Sequence, residues 1–447
     1  MRHNQTIILL LVFVLSLGKV YSQGQEYKFS LAEAQTFAEE NSFQTKLAEM
    51  EVEKSERKVK ETIGIGLPQI NASAYYNNYL ELPVQLIPAE SFGGNPGEFA
   101  EVVFGTEQSM GFDATARQLL FNGSYFVGLQ ATKVYVDLAR NEKEKSEIEV
   151  KNMILTLYGS VLVAEENAEI SKAIFEQLKS NYEEAEELYK EGFISQEDKD
   201  QLQLLYINAR NSYQQSERLV PITKDQLKFV MGIELDAELT LTDSIQLIIE
   251  SLPEASFLDN EFNLEQHIDF RTINTQLEAT KLQLKEKKSN YLPTLNAFYT
   301  YQENSFSDEF NFFSESPWFP SQLAGLQMNL PIFSGFSKRN RVQQAKLDLQ
   351  QVELNRTQVE RQLQINADRS RSDYLFALNQ YENSKENWEL AKRIYRNTEI
   401  KYREGMSSST DLTQANNQLV ESQGNFVRAA LQLIQAKAEL NKALNIN

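Results

Sequence analysis

The sequence predicts a mixed α and β membrane protein built from two internal repeats, and three observations carry this prediction. The chain opens with an apolar leader and has no later apolar run of the roughly 18 residues that a membrane-spanning helix needs. Two stretches of about 65 residues lack proline, which is typical of very long helices. Four shorter segments alternate apolar and polar side chains over strand lengths. Any membrane span is therefore expected to be β.

The first residues have the pattern of a secretory signal peptide. Arg2 provides the basic start, Ile7 to Leu17 form the apolar core, and Val20-Tyr21-Ser22 form a cleavage site of the small-x-small type. We expect a signal peptide over residues 1–22 and a mature chain that begins near Gln23. An uncleaved anchor is the alternative, although about 11 apolar residues are too few to span a membrane as a helix.

Composition excludes several classes of function. The chain has 447 residues, a formal net charge of -19 and a pI of about 4.8, which argues against nucleic acid as a partner. It has no cysteine, so a disulfide framework, a thiolate metal site and a cysteine lipid anchor are impossible. His3 lies in the leader, so His267 is the single histidine of the processed chain. We therefore expect no metal site and no cofactor.

The chain is an internal duplication. Tyr189-Lys190-Glu191-Gly192 resembles Tyr402-Arg403-Glu404-Gly405 at an offset of 213 residues, and Asp198 meets Asp411 at the same offset. Phe121-Asn122-Gly123 meets Phe333-Ser334-Gly335 at an offset of 212. An ordered series of matches at nearly constant offset indicates two structural repeats. We assign residues 23–234 to repeat 1, residues 235–261 to an equatorial linker, and residues 262–447 to repeat 2.

Each repeat is predicted to contain long coiled helices, over 124–232 in the first and 337–444 in the second. A helix of about 65 residues is roughly 100 Å long, which suits a rod or a tube better than a compact domain. The last helix has a heptad seam of alternating steps of three and four: Leu412, Ala415, Leu419, Ser422, Phe426, Ala429, Leu433, Ala436 and Leu440. The equivalent seam of repeat 1 is more polar and contains Pro221, which predicts a kink or a break there.

Four alternating segments predict one β-hairpin per repeat, over 68–120 and 293–332. Their apolar faces are Ile70, Ala72, Ala74 and Tyr76; Met110, Phe112, Ala114 and Ala116; Leu295, Ala297, Tyr299 and Tyr301; and Ala324, Leu326, Met328 and Leu330. Each segment has the length of a tilted transmembrane strand. A soluble sheet with one buried face alternates in the same way. Turn-rich loops over 82–107 and 303–321 join the strands and are expected to face outward.

Four strands cannot close a barrel, because the smallest membrane barrels have about eight strands. Open strand edges are not tolerated in lipid. Several copies must therefore share one barrel, and geometry leaves dimer, trimer and tetramer open.

The repeated plan resembles the TolC-type outer-membrane efflux protein family over essentially all of the mature chain. The residues that carry the resemblance are Leu67-Pro68, Leu292-Pro293, the run Leu330-Pro331-Ile332-Phe333-Ser334-Gly335, and Tyr402 to Gly405 followed by Asp411. The resemblance implies a homotrimer whose twelve strands form one outer-membrane β-barrel, continued by a long periplasmic α-helical barrel. It also implies a periplasmic adaptor and an inner-membrane transporter as partners.

The resemblance places a candidate pore gate at the periplasmic tip, with Gly192 and Gly405 in the tip turns. Asp411 matches the first acid of the family's tip, and Asp198 matches it in repeat 1, with Asp200 nearby. The family's second acid is replaced here by Gln414. Asp411 also suits the first turn of a helix, where an acid favours the helix dipole and Ser408 provides a cap. Capping and a pore ring are both open at this point.

The expected function is that of a passive channel in the outer membrane, extending into the periplasm of a Gram-negative-type bacterium. It would form the exit duct of a tripartite efflux or type I secretion system. A soluble periplasmic coiled-coil scaffold or adaptor is the alternative. The sequence has no Gly-rich phosphate loop, zinc-protease helix or nucleophile elbow, so we do not expect an enzyme.

Overall fold

The computed structural model describes residues 26–250, 262–314 and 316–445. The predicted signal peptide and residues 251–261 of the predicted equatorial linker lie outside the described residues. The chain divides into two compact units. The first unit draws its described residues from Met1–Glu51, Arg140–Thr272 and Thr357–Asn447, and the second from Val52–Ala139 and Ile273–Arg356. Each unit therefore combines residues from both halves of the chain.

The two halves of the chain share one order of helices and strands, except that the first half has two additional short strands within its hairpin among the described residues. In chain order they are β1 (Glu26–Phe29), α1 (Leu31–Asn41), α2 (Phe43–Ile65), β2 (Gln69–Asn78), β3 (Val84–Pro88), β4 (Phe99–Val103), β5 (Gln108–Asn122), α3 (Gly123–Lys190), α4 (Gln196–Met231), β6 (Glu238–Leu241), α5 (Ile245–Glu250), α6 (Ile268–Ser289), β7 (Thr294–Ser307), β8 (Trp318–Asn329), α7 (Ser337–Arg403) and α8 (Ser409–Leu444). Short 3₁₀ turns cover Ala89–Phe92 and Leu264–Gln266.

The second unit contains an antiparallel sheet in the order β2-β5-β7-β8. The pairing of β5 with β7 joins the strands of the two repeats. Register places Ile70, Ala116, Tyr299 and Ala324 in one row across the sheet. Ser73, Asp113, Gln302 and Ser321 form a row on the opposite face. The alternation that predicted these strands therefore continues across the sheet as one apolar and one largely polar face.

The segment predicted as a turn-rich loop over 82–107 contains a second hairpin. Strands β3 and β4 pair antiparallel from Val84 opposite Val103 to Pro88 opposite Phe99. The prolines and glycines of this segment suggested a loop, but they lie at the ends of the two strands and in the turn between them. The β-branched and aromatic residues between these breakers favour extended backbone and form the strands.

The first unit is built from the long helices, and its core is the predicted heptad seam. Of the nine predicted seam positions on α8, eight are buried and Ala436 is partly buried against the core. Leu412, Ala415 and Leu419 pack with residues of α3, α4 and α7 in one cluster. Phe426 and Leu433 belong to a second, larger cluster. In the more polar seam of α4, Leu202, Ala209, Ser216 and Leu227 are buried.

Of the kink or break predicted at Pro221, the break does not occur: α4 runs without interruption through this proline. A proline inside a helix removes one backbone hydrogen bond and costs about 3 kcal/mol relative to alanine. Ser216 before it and Leu227 after it are both buried on the same helix. Packing on both sides holds the helical path, so tertiary contacts override the local penalty.

Within the described parts of the chain, no helix combines the length and the apolar character needed to cross a lipid bilayer.

Candidate gate at the helical tip

Two tight turns join the paired long helices of the first unit. Gly192 follows α3 with a φ of 78°, and Gly405 follows α7 with a φ of 74°. The next residue closes each turn: Phe193 N–H donates to Leu188 O at 2.8 Å, and Met406 N–H donates to Lys401 O at 2.8 Å. This is the Schellman arrangement, which favours glycine because side chains make a positive φ unfavourable. The two glycines predicted for the tip therefore end helices in both repeats.

A capping box starts the next helix after each turn. The backbone N–H of Asp198 donates to Ser195 Oγ at 3.2 Å, and the backbone N–H of Ser195 donates back to the Asp198 carboxylate at 3.4 Å. The backbone N–H of Asp411 donates to Ser408 Oγ at 3.1 Å, and the backbone N–H of Ser408 donates back to the Asp411 carboxylate at 3.0 Å. The hydroxyls of Ser195 and Ser408 also donate to these carboxylates. Both acids thus occupy the third position of a helix, where a carboxylate satisfies exposed backbone N–H groups.

The two equivalent acids differ in what else they contact. Asp198 is half-buried, and its second carboxylate oxygen accepts a hydrogen bond from the hydroxyl of Ser409 on α8. Asp411 is exposed, and its additional partner is Ser407 in its own turn, whose hydroxyl donates at 3.0 Å. Asp198 therefore links two helices, whereas the hydrogen bonds described for Asp411 stay within the start of α8.

These hydrogen bonds favour the ionised carboxylates. The hydroxyl of Ser409, followed by that of Ser195, holds the pKa of Asp198 below its ordinary value. The backbone N–H of Ser408, followed by its hydroxyl, lowers the pKa of Asp411. Because each donor binds the charged form, protonation would weaken both caps.

A polar network near the tip joins α3 to α7. Glu399 accepts hydrogen bonds from Gln177 Nε2 at 2.5 Å and from Asn181 Nδ2 at 3.0 Å. Arg403 donates to Asn181 Oδ1 at 2.9 Å and lies 3.9 Å from the Glu184 carboxylate. Both Asn181 and Glu399 are largely removed from solvent. The network fixes the relative position of α3 and α7 just before their turns.

A cavity of about 660 Å³ lies between this network and the capping boxes. Its apolar wall includes Leu188, Ile194 and Tyr402, and its polar wall includes Asp198 and Arg403. Burial raises the pKa of Tyr402, and the nearby carboxylates of Asp198 and Glu184 add to this effect. This partly open space lies beside the buried apolar cluster that contains Leu412, because Ile194 and Tyr402 line the cavity and also pack against that cluster.

The structure brings some of the predicted residues together and leaves others apart. Asp198 lies at the contact between α4 and α8. Gln414 is exposed one turn after Asp411 on the same face of α8. Asp200 is also exposed and accepts a hydrogen bond from Gln196 at 2.7 Å. The arrangement can therefore place two polar side chains of α8 at a lumen or at solvent.

The roles of Ser409 and of the Asn181–Glu399–Arg403 network are not predictable from the sequence. Ser409 has Gln196 as its repeat equivalent, so the duplication does not reveal its role. The signal for the network is weak: Asn181 and Glu399 are polar residues at buried positions of otherwise amphipathic helices, and burial was visible only in the structure.

The second half of the chain is similar to a known protein family. Residues 263–445 match the family model described as outer membrane efflux protein. This range contains both the Leu330 to Gly335 run and the Tyr402 to Asp411 segment, so the resemblance inferred from these residues is confirmed. No curated protein shows significant similarity to the chain.

Several solved structures share the fold across nearly the whole chain. The CmeC outer membrane channel of Campylobacter jejuni has a TM-score of 0.69 at 17% identity, covering 93% of this chain and 85% of that one. The outer membrane protein VceC of Vibrio cholerae has a TM-score of 0.68 at 14% identity, covering 93% and 95%. The open state of the MtrE outer membrane channel of Neisseria gonorrhoeae has a TM-score of 0.70 at 16% identity, covering 93% and 88%. At these identities the likeness shows the fold.

Proposed function

We propose that this chain, which carries an outer membrane efflux protein domain over residues 263–445, is a passive exit duct in the outer membrane. It exports small molecules or proteins as the outer-membrane part of a tripartite efflux or type I secretion system. It catalyses no reaction, and an inner-membrane transporter supplies the energy. The efflux domain supports this function, and a fold shared with outer membrane channels over 93% of the chain agrees with it.

The observation that carries the proposal is the four-stranded sheet of the second unit. Its order leaves one edge of β2 and one edge of β8 without a partner strand within the described chain. Its apolar face includes Ile70, Leu326 and Met328, all of which are exposed. A sheet with free edges and an uncovered apolar face suits a barrel that several copies complete in lipid. We propose three copies and twelve strands, as the resemblance implies.

The tip turns provide the proposed contact with a periplasmic adaptor. Phe193 is 76% exposed and Met406 is 66% exposed, and each directly follows a tip glycine. Large apolar side chains at the ends of two helical hairpins are costly to leave in water, and they suit the apolar core of a protein interface. In this proposal the tip lies in the periplasm and the hairpin loops lie outside the cell.

The acids at the tip form the proposed gate. In a trimer, three copies of Asp411 would place like charges around one pore. Asp198 would add to this ring where it faces the lumen. Such a ring favours the passage of cations. Gln414 replaces a second acid, so the ring carries one carboxylate per copy at the α8 position. The capping role described above is compatible with a ring, because each cap uses one carboxylate group that still carries its charge.

A soluble periplasmic scaffold remains the alternative function, and strand-face substitutions separate it from the duct. Leu326 and Gln327 are neighbours on opposite faces of β8. Arginine at a lipid-facing position costs about 2–4 kcal/mol at the middle of the membrane, whereas a lumen-facing arginine is tolerated. We expect Leu326→Arg to lower the yield of membrane-inserted trimer and Gln327→Arg to leave it unchanged.

The experiment is detergent extraction of the membrane fraction, followed by mass measurement and recording in planar bilayers. We expect three copies that conduct ions, with the yield of Leu326→Arg reduced against Gln327→Arg. Recovery of the unmutated protein as a monomer from the soluble fraction, with both variants behaving alike, would contradict the duct and favour the scaffold.

A further inference from the structure

The β3–β4 hairpin carries an uncovered apolar face. Register places Val84 opposite Val103, Leu86 opposite Glu101, and Pro88 opposite Phe99, so these side chains share one face. Val84, Leu86, Phe99 and Val103 are between 52% and 66% exposed. An isolated two-stranded hairpin is marginally stable in water. A partner that covers this face would therefore stabilise the hairpin as well as bind it.

Charge on this segment has one sign. Every charged side chain between residues 79 and 107 is a glutamate, and all five are exposed: Glu81, Glu90, Glu98, Glu101 and Glu107. The connection between β7 and β8, over 308–317, likewise contains acids and no lysine or arginine. The hairpin therefore combines apolar surface with a negative field that no basic side chain of its own sequence offsets.

The position of Glu101 defines the chemistry that would fit. It lies on the apolar face, directly across from Leu86 and two residues from both Phe99 and Val103. A partner that covers the apolar side chains must also meet this carboxylate. Burying an unpaired charge is costly, so a lysine or arginine within an apolar surface is the matching group.

The same charges disfavour other occupants. A second copy of the chain would bring five glutamates of its hairpin against the five of the first, and like charges at close range repel. Anionic lipid headgroups and nucleic acids are disfavoured for the same reason. A cationic surface removes this conflict.

We propose that the β3–β4 hairpin is a docking surface for a cationic polypeptide that presents apolar side chains around a lysine or arginine. The location of this surface outside the cell rests on the proposed function. The chemistry of binding does not rest on it. The polypeptide is a basic protein segment or an amphipathic basic peptide.

The test uses the full chain in nanodiscs of uncharged phosphatidylcholine and a fluorescent peptide of alternating lysine and leucine. The control peptide alternates glutamate and leucine, and the signal of empty nanodiscs is subtracted. We expect fluorescence anisotropy to show saturable binding of the lysine peptide, weaker at high salt, and no binding of the glutamate peptide.

Paired variants locate the binding. Leu86→Ser combined with Phe99→Ser removes apolar contacts, and we expect the Kd to rise at least about tenfold. Gln85→Ser, on the opposite face of β3, is the matched control and should leave the Kd unchanged. Glu101→Gln should raise the Kd by up to about fivefold, the range of an exposed ion pair. Glu234→Gln removes an exposed charge outside the hairpin and should have no effect.

Three results would overturn the docking surface. These are equal binding of both peptides, a Kd that is unchanged in the Leu86→Ser and Phe99→Ser variant, and loss of the oligomer in that variant. The last result would identify a second copy as the occupant. Bilayer recording on the same preparation keeps the two proposals separate. Conduction without peptide binding refutes the docking surface alone, and hairpin-dependent binding without conduction refutes the duct alone.

Discussion

The hydroxyl of Ser409 donates a hydrogen bond to the carboxylate of Asp198, and this contact joins the first turns of α8 and α4. Asp198 also caps its own helix through Ser195. Its repeat equivalent, Asp411, has hydrogen-bond partners described only in its own turn, namely Ser407 and Ser408. The duplication has thus produced two acids with the same local position and different tertiary roles.

Loss of the Ser409 hydroxyl should loosen the contact between α4 and α8. A hydrogen bond to a charged group stabilises by about 1.5–3 kcal/mol when buried, and exposure reduces this to about 1 kcal/mol or less here. We expect Ser409→Ala to increase the open probability of single channels up to about fivefold. Ser407→Ala, which removes a contact within one turn, is the control. Equal gating of the two variants would show that the Ser409–Asp198 contact does not restrain the tip.

Replacing Asp411 separates a pore ring from a helix cap. Asn retains an acceptor for the Ser408 N–H but removes the charge, so Asp411→Asn should lower cation preference and relieve block by polyvalent cations if the side chain lines the pore. The reversal potential in a salt gradient measures this preference. An unchanged reversal potential and unchanged block would leave Asp411 with the capping role alone.

The tip should lose stability in acid. The pKa values of Asp198 and Asp411 are lowered in the folded chain, so their contribution is complete above the unfolded value and is lost as the pH falls through the lowered folded value. Since the ordinary value is 3.8, we expect no change between pH 7 and pH 5 and a decline below about pH 4. Pepsin cleavage at the two tip turns, normalised to cleavage of an unfolded reference peptide, should increase between pH 5 and pH 3.

The Asp198→Asn and Asp411→Asn double variant provides the control for the acid experiment. It lacks both titrating groups, so its normalised tip cleavage should not depend on pH over this range. If normalised tip cleavage of the double variant still increases in acid, the acid sensitivity belongs to other groups.

Alanine substitution at two glycines of the same helical hairpin should change stability in opposite directions. Gly405 has a φ of 74°, so Gly405→Ala places a side chain in the left-handed region and should destabilise the tip by about 1–2 kcal/mol. Gly424 lies inside α8, where an added Cβ would meet only the Arg428 side chain at 3.7 Å. Gly424→Ala should therefore stabilise by about 0.5–1 kcal/mol. Thermal unfolding in detergent measures both effects. A shift of the unfolding temperature in the same direction for both variants would contradict the prediction.

The absence of cysteine allows a direct test of orientation. Asn95→Cys places a thiol in the turn of the β3–β4 hairpin, and Ser407→Cys places one in the tip turn after α7. A membrane-impermeant maleimide should label the first in intact cells and the second only after the outer membrane is permeabilised. Labelling of Ser407→Cys in intact cells would reverse the proposed orientation.

The periodic helices and strands of this protein are predictable from the amino-acid sequence. The seam from Leu412 to Leu440 was readable because a helix returns to the same face every three to four residues. The strands around Ile70 and Leu326 were readable because side chains alternate across a sheet. These signals are local, and duplication repeated them, so the paired turns at Gly192 and Gly405 were predictable as well.

The contacts between these helices and strands are visible only in the folded chain. The pairing of β5 with β7, the link from Ser409 to Asp198 and the network around Glu399 each join residues more than 170 positions apart in the chain. No local periodicity encodes such contacts. Residues that disfavour regular structure show the same limit. Pro221 predicted a kink or a break, but α4 continues through it. The prolines and glycines of residues 82–107 predicted a loop, but strand pairing forms the β3–β4 hairpin there. The physical reason is that backbone preferences amount to a few kcal/mol at most per residue, whereas burial and pairing act over many residues at once.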